Sequence, residues 1–182
     1  MQFLIHHYPS RVLTYLLIIS MLLFSCRSKK ETTAPSPKKK SKQLEQLSTK
    51  LNLEVEKEDN FNLYQYVGEW LGTPHQLGSC QKSAIDCSCF VLQLYESVYG
   101  IKLPRTASEM FKQSNPIERN KLDEGDLVFF SIKSSKVSHV GIYLKQGWFA
   151  HVSTSKGVMI NNLEEGYYQK YFTGGGRYGN RD

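Results

Sequence analysis

The chain of 182 residues has no internal repeat, no apolar run long enough to span a bilayer comfortably, and no basic surface interleaved with aromatic residues. The first absence excludes a repeat array and the second argues against a transmembrane protein. The third argues against a nucleic-acid binder despite a formal net charge of +6. Residues 61–182 carry 13 Lys and Arg against 11 Asp and Glu, so this part is nearly neutral at +2. Most of the basic excess lies upstream, in a lysine-rich stretch. Cysteine is scarce as well, with four in all: Cys26, Cys80, Cys87 and Cys89.

The N-terminus carries Arg11 and then an almost unbroken apolar run over residues 12–24, ending in Leu22-Leu23-Phe24-Ser25-Cys26. This reads as a signal peptide over 1–25, similar to bacterial lipoprotein signals, in which the cysteine becomes the lipidated first residue; Cys26 is that residue here. An uncleaved anchor is the other reading. Both place the rest of the chain outside the cytoplasm. Residues 26–60, with Arg27-Ser28-Lys29-Lys30, Pro35, Pro37 and Lys38-Lys39-Lys40, are too polar and charged to bury a core and read as a tether that lies near anionic lipid. Leu44, Leu47, Leu51 and Leu53 leave two options near its end: a frayed linker, or a short helix packed on the domain.

Residues 61–182 read as one domain of about 120 residues. A helix is expected over 61–71, stopped by Gly72-Thr73-Pro74, with a helical turn or two over 107–112. Short runs rich in β-branched and aromatic residues follow at 127–132, 140–144, 148–153 and 158–163. Helices first and strands later predict an α+β fold with helices packed on an antiparallel sheet.

The chemistry concentrates in Ala84-Ile85-Asp86-Cys87-Ser88-Cys89-Phe90. Phe90, Val91, Leu94, Tyr95 and Val98 recur at helical spacing, with Asp86 as N-cap and Gly100 as stop. Cys87 then sits among the unpaired N–H groups of a first turn, which with the helix dipole favour the nucleophilic thiolate. An imidazole is available downstream. If Lys145-Gln146-Gly147 is a hairpin loop, Leu144 pairs with Trp148, Gly141 with His151 and His139 with Ser153. The two histidines are then diagonal neighbours on one sheet face, roughly 7 Å apart at the backbone. Gly141 is expected to leave open space beside His151. A helix docked over that face brings Cys87 to the pair.

These residues, with Trp70-Leu71-Gly72-Thr73-Pro74, Leu103-Pro104-Arg105, Glu124-Gly125-Asp126-Leu127-Val128-Phe129-Phe130, His139-Val140-Gly141-Ile142-Tyr143, His151, Ser153-Thr154-Ser155 and Gly157-Val158, resemble the NlpC/P60 papain-like cell-wall peptidases of the short lipoprotein type. The resemblance covers about residues 61–178. It implies a papain-like fold and a thiol-dependent endopeptidase that cleaves an amide bond in peptidoglycan stem peptides or crosslinks. Cys87 would be the nucleophile, His139 the general base and then acid, and His151 the residue that orients it. Backbone N–H groups at the helix start would form the oxyanion hole. Asp86 and Ser88 are similar to residues that hold polar ends of the stem peptide.

The chain departs from the family pattern at three places. His75 stands where tyrosine is usual, and a histidine there could donate to substrate in its stead. Gly78-Ser79 replaces a glycine pair, and Cys89 replaces a glycine. With Cys26 assigned to lipid and Cys87 to catalysis, Cys80 and Cys89 remain as an even pair in an oxidising compartment, so a disulfide is one expectation. Two free thiols, or a Cys80 to Cys87 bond that silences the nucleophile, are the others. Tyr64, Tyr66, Trp70, Trp148, Tyr167 and Tyr168 are candidates to line the groove, and Arg105 and Arg177 to meet substrate carboxylates. No metal or organic cofactor is expected; a zinc site on Cys87, Cys89, His139 and His151 is disfavoured because two thiols in Cys-x-Cys at a helix start point about 200° apart. The expected partners are peptidoglycan stem peptides and, through the lipid anchor, a membrane on its periplasmic side. A monomer that binds no nucleic acid is expected. The alternative on the same fold is a catalytically inactive or acyl-transferring peptidoglycan-binding lipoprotein.

Overall fold

Helix α1 (Pro37–Leu51) opens the computed structural model, which describes residues 37–179. The expected signal peptide, Cys26 and the first part of the tether lie outside the described residues. Of the two options for Leu44, Leu47, Leu51 and Leu53, the structure has the packed helix. Leu47, Leu51, Leu53 and Val55 are buried in the main core, and Leu44 packs against it. The tether expected over 26–60 is therefore corrected in its second half. Four apolar side chains at suitable spacing outweigh the polar composition around them. Their seat is α2 (Phe61–Trp70), where the bare Gly68 lets Leu47 approach so closely that a Cβ would lie 3.1 Å from its Cδ1.

The remaining elements are a two-stranded hairpin, β1 (Cys80–Gln81) and β2 (Ala84–Ile85), then α3 (Cys87–Tyr99), α4 (Ala107–Gln113), β3 (Asn115–Ile117), β4 (Leu127–Phe130), β5 (His139–Tyr143), β6 (Trp148–Ser153), β7 (Gly157–Asn162), α5 (Gly166–Tyr171) and β8 (Phe172–Arg177). The main sheet runs β3-β8-β4-β5-β6-β7, antiparallel at every pairing. The fold is α+β, as the element order predicts.

Strand alternation divides the apolar residues between two faces. Val140, Ile142, Ala150 and Val152 face the main core, where they meet Phe90, Val91 and Leu94 of α3. Val128, Phe130, Phe149 and Leu163 face the other way, under Tyr168 and Tyr171 of α5. The β5–β6 hairpin sets the register that matters. Leu144 N–H bonds to the Trp148 carbonyl at 2.8 Å, and Gly141 pairs with His151, as the three-residue loop requires.

Candidate active site

Helix α3 begins at Cys87 because Asp86 caps it. Asp86 is extended at φ −95° and ψ 167°, and its Oδ1 accepts the Cys89 N–H at 2.7 Å. Gly100, left-handed at φ 67°, closes the other end. Between the caps, Phe90, Val91, Leu94 and Tyr95 are fully buried, which holds the helix against the sheet. The β1–β2 hairpin delivers Asp86 to its place, and the Gly78 N–H fastens Asp86 Oδ2 at 2.9 Å.

The histidines come from adjacent strands. His139 opens β5 opposite Phe130, and His151 lies in β6 against the ring of Phe149. Their rings meet edge to face, with His139 Nε2 at 3.0 Å from His151 Nδ1. The diagonal placement inferred from the hairpin thus becomes a direct hydrogen bond. Gly141 does not leave open space. A Cβ there would lie 2.8 Å from the Phe149 ring and 3.2 Å from His151 Cβ, so the glycine is what lets β6 side chains lie flat across β5.

Helix α3 also covers the sheet face opposite to the histidine rings, against expectation. Its apolar stripe needs the Val140, Ile142, Ala150 and Val152 face, while His139 and His151 pack with Phe130, Phe149 and Tyr168. Cys87 and His139 instead border the same cleft, near the end of β5 where His139 is the first residue. The backbone N–H groups of Val140, one residue along from His139, of Ser88 and of Cys87 itself lie near enough to the sulfur to favour its charged form. Both residues line one cleft of about 850 Å³, with His75, Leu77, Asp86, Ser88 and Arg105 on its walls.

Burial pushes the Cys87 thiol up to about 11, and the charge of Asp86 adds to this; the three N–H groups pull the other way without prevailing. The expected preference for the thiolate is thus reversed by desolvation. Burial also depresses His139 well below the usual imidazole value, reinforced by His151 and His75 nearby. His151 is lowered by burial too, against the hydrogen bond to Asn161 and the charge of Glu165. The resting pair is a neutral thiol beside a neutral imidazole.

Cys80 and Cys89 form a disulfide across a Cα separation of 5.4 Å, and Cys87 is a free thiol. The bond ties the hairpin to α3, two residues beyond Cys87, and removes Cys89 from any metal-ligand set. His75, half-buried, is held by a bridge to Ile85 and lines the cleft.

Arg105 and Arg177, the candidates to meet substrate carboxylates, are both paired within the protein. Arg105 binds Asp86 through both oxygens, at 2.6 and 3.1 Å, and Ser88 Oγ at 2.8 Å. Arg177 binds the buried Asp126 at 2.7 and 2.8 Å. The aromatic candidates for the groove divide differently from expectation. Tyr64 and Trp70 are core, Tyr66 and Trp148 pack against it, and none of the six lines the cleft. Tyr167 and Tyr168 border a smaller cavity of about 240 Å³ that also touches His139 and His151.

Sequence reasoning passed over Asn161 and Glu165. Asn161 Oδ1 lies 2.9 Å from His151 Nε2, and its Nδ2 lies 2.9 and 3.0 Å from the two Glu165 oxygens. The signal was present. His151 pairs with Met159, which puts Asn161, two residues on, on the same face.

The NlpC/P60 family matches residues 72–177. A probable endopeptidase, an NlpC homologue of Haemophilus influenzae, is 40% identical over 105 residues, or 58% of this chain and 55% of that protein. The Escherichia coli protein named murein DD-endopeptidase MepS/murein LD-carboxypeptidase is 38% identical over 104 residues, covering 57% of this chain and 55% of its own length. The chain thus spans about half the length of these curated relatives. A crystal structure of an NlpC/P60 family protein from Bacillus cereus superposes with a TM-score of 0.60 at 26% identity, covering 69% of this chain and 42% of that one.

Proposed function

Because the chain belongs to the NlpC/P60 family, we propose that it is a cell-wall cysteine endopeptidase that hydrolyses an amide bond in peptidoglycan stem peptides or their crosslinks. The observation that carries this reading is a free thiol at a capped helix start lining one cleft with His139, whose ring is hydrogen-bonded to the buried His151.

In this reading substrate enters a site at rest, with thiol and imidazole both uncharged. As the sulfur of Cys87 attacks the scissile carbonyl, its proton passes to His139, which later returns a proton to the leaving amine. His151 steadies the imidazolium formed in between. The N–H groups of Cys87, Ser88 and Val140 that face the sulfur also supply donors for the charge that develops on the carbonyl oxygen. Asp86, Ser88 and His75 serve as substrate-binding residues. With Asp86 committed to Arg105, the three act together with that guanidinium, which meets a carboxylate of the stem peptide while Ser88 and His75 offer polar contacts beside it.

The envelope location, the signal peptide over 1–25 and the lipid on Cys26 complete the proposal. They place a monomeric peptidase domain, 61–182 with the α1 extension, on the periplasmic side of a membrane. A catalytically inactive binding protein would be expected to lack the nucleophile or the base, and this chain has both.

The test is digestion of defined muropeptides with the wild-type protein and with Cys87→Ala, followed by mass analysis of the products. Wild type should release stem-peptide fragments whose masses name the bond. Cys87→Ala should be inactive while it melts as the wild type does, and retained hydrolysis would sink the mechanism.

A further inference from the structure

Beyond the paired histidines runs a chain of polar groups whose direction is set at its far end. Glu165 is the N-cap residue of α5 but makes no capping bond to its own helix. Its carboxylate turns back to β7, where it accepts from both Asn161 Nδ2 and the Asn162 N–H, the latter at 2.8 Å. A carboxylate can only accept, so the Asn161 amide must present its NH₂ to Glu165 and its oxygen to His151. That oxygen sits 2.9 Å from His151 Nε2 and also receives the Tyr168 hydroxyl at 3.3 Å. Facing an acceptor, His151 Nε2 must carry its proton, and the Tyr168 oxygen 3.0 Å away shares it. His151 Nδ1 is then a bare lone pair. The only way to complete the 3.0 Å contact with His139 is for His139 Nε2 to donate.

We infer that Glu165, acting through Asn161, fixes the tautomers of both histidines and so leaves Nδ1 of His139 as the nitrogen free to take the thiol proton. The inference rests on the reading of Cys87 and His139 given above and extends it by two positioning residues. Without Glu165 only the long Tyr168 hydroxyl contact, at 3.3 Å, favours that way round for the Asn161 amide. Turned over, it would offer NH₂ to His151, shift that ring's proton to Nδ1, and leave His139 with its proton on the wrong nitrogen for attack.

The experiment combines long-range proton–nitrogen NMR of the histidine rings with steady-state hydrolysis of a defined muropeptide. Wild type should show both rings protonated on Nε2. Glu165→Ala, an exposed position whose loss leaves the core intact, should give His151 a mixture of tautomers and lower kcat on the order of tenfold with KM little changed. Adding Asn161→Asp to that variant should restore a single His151 tautomer and most of kcat, because a carboxylate presents an acceptor whichever way it turns. Wild-type His151 protonated on Nδ1, or Glu165→Ala with unchanged tautomers and kcat, would overturn the inference. So would a double variant as slow as the single one, which would make Glu165 merely a brace for the β7–α5 turn. Failure of the peptidase reading is separate, since it shows as hydrolysis by Cys87→Ala and leaves the NMR result standing.

Discussion

Arg105 grips both oxygens of Asp86, the residue whose carboxylate also starts the helix that opens with Cys87. Burial pushes the Asp86 carboxyl up, but the Arg105 bonds, the Cys89 N–H and the Ser88 hydroxyl outweigh it and hold it below the ordinary carboxylate value. One side chain therefore serves as helix cap, ion-pair partner and cleft wall.

Arg105→Ala should accordingly do two things at once. It leaves a buried carboxylate without its cation, a loss of several kcal/mol for a fully enclosed pair. With the arginine side chain 41% exposed, water takes up much of that, and about 1–2 kcal/mol is expected. It also strips the cleft of its cation, so KM for a carboxylate-bearing muropeptide should rise more than kcat falls. Denaturant melts and initial rates on the same preparation check both, and an unchanged KM would take Arg105 out of substrate binding.

The neutral resting pair has a signature in alkylation. With the Cys87 thiol raised to about 11, the reactive thiolate is a small fraction at neutral pH and should grow about tenfold per pH unit up to that range. Iodoacetamide labelling of Cys87 should therefore climb steadily from pH 6 to pH 9. A rate already flat across that span would mean a preformed thiolate–imidazolium pair. Peptide hydrolysis should behave differently, because the base must be uncharged. The depressed His139 stays neutral below the ordinary imidazole value, so the acid limb of kcat/KM should fall below pH 6.5.

The same depression bears on stability. His139 and His151 bind protons less readily folded than unfolded, so below about pH 6.5 the unfolded chain takes up more protons and stability falls as pH falls. Melting temperature should drop between pH 7 and pH 5, and the drop should be shallower in His151→Asn, which removes one of the two groups.

What could be read from sequence were the parts with local chemistry. The α3 caps Asp86 and Gly100, the hairpin loop at 145–147 and the resulting Gly141 and His151 pairing follow from neighbours in the chain, and the structure has them. Strand β8 hid because its centre is Gly174-Gly175-Gly176, where strand propensity is lowest. A Cβ at Gly175 would lie 2.6 Å from Leu122 and 2.8 Å from the Ile117 carbonyl, so only tertiary packing explains the residue choice. The face that α3 covers differs from the one expected because Cys87 and His139 border their cleft around the end of a strand rather than across it. The partners of Arg105 and Asn161 stayed hidden for a related reason. Arg105 reaches back 19 residues to Asp86, and the polarity of Asn161 depends on Glu165, whose direction no local rule supplies.

The Cys80–Cys89 disulfide closes a short loop of nine residues' separation around the hairpin that presents Asp86. Closing a loop of that length is worth roughly 2.5 kcal/mol on chain entropy. Cys80→Ser should lower stability by about that amount, and since Cys87 remains a free thiol, hydrolysis should persist at temperatures where the variant is folded. Thiol titration of wild type under denaturing conditions should gain two groups on reduction. A variant that melts with the wild type would show that hairpin contacts alone hold the loop.

Leu47 tests whether α1 is part of the folded unit. It is 8% exposed and seats on Gly68 of α2, where no side chain competes for the space. Leu47→Ala should leave a void over that glycine and cost about 2 kcal/mol, the lower end for a buried leucine because the site lies near the surface and can partly collapse. Gly68→Ala approaches the same contact from the other side. The added methyl comes within 3.1 Å of a flexible leucine end, so that side chain can give, and the greater helix preference of alanine offsets the crowding. The pair should couple, with Leu47→Ala costing less on the Gly68→Ala background because the methyl fills part of the void. Urea melts of the two single variants and the double measure that coupling directly, and strictly additive effects would mean that α1 does not rest on Gly68 in solution.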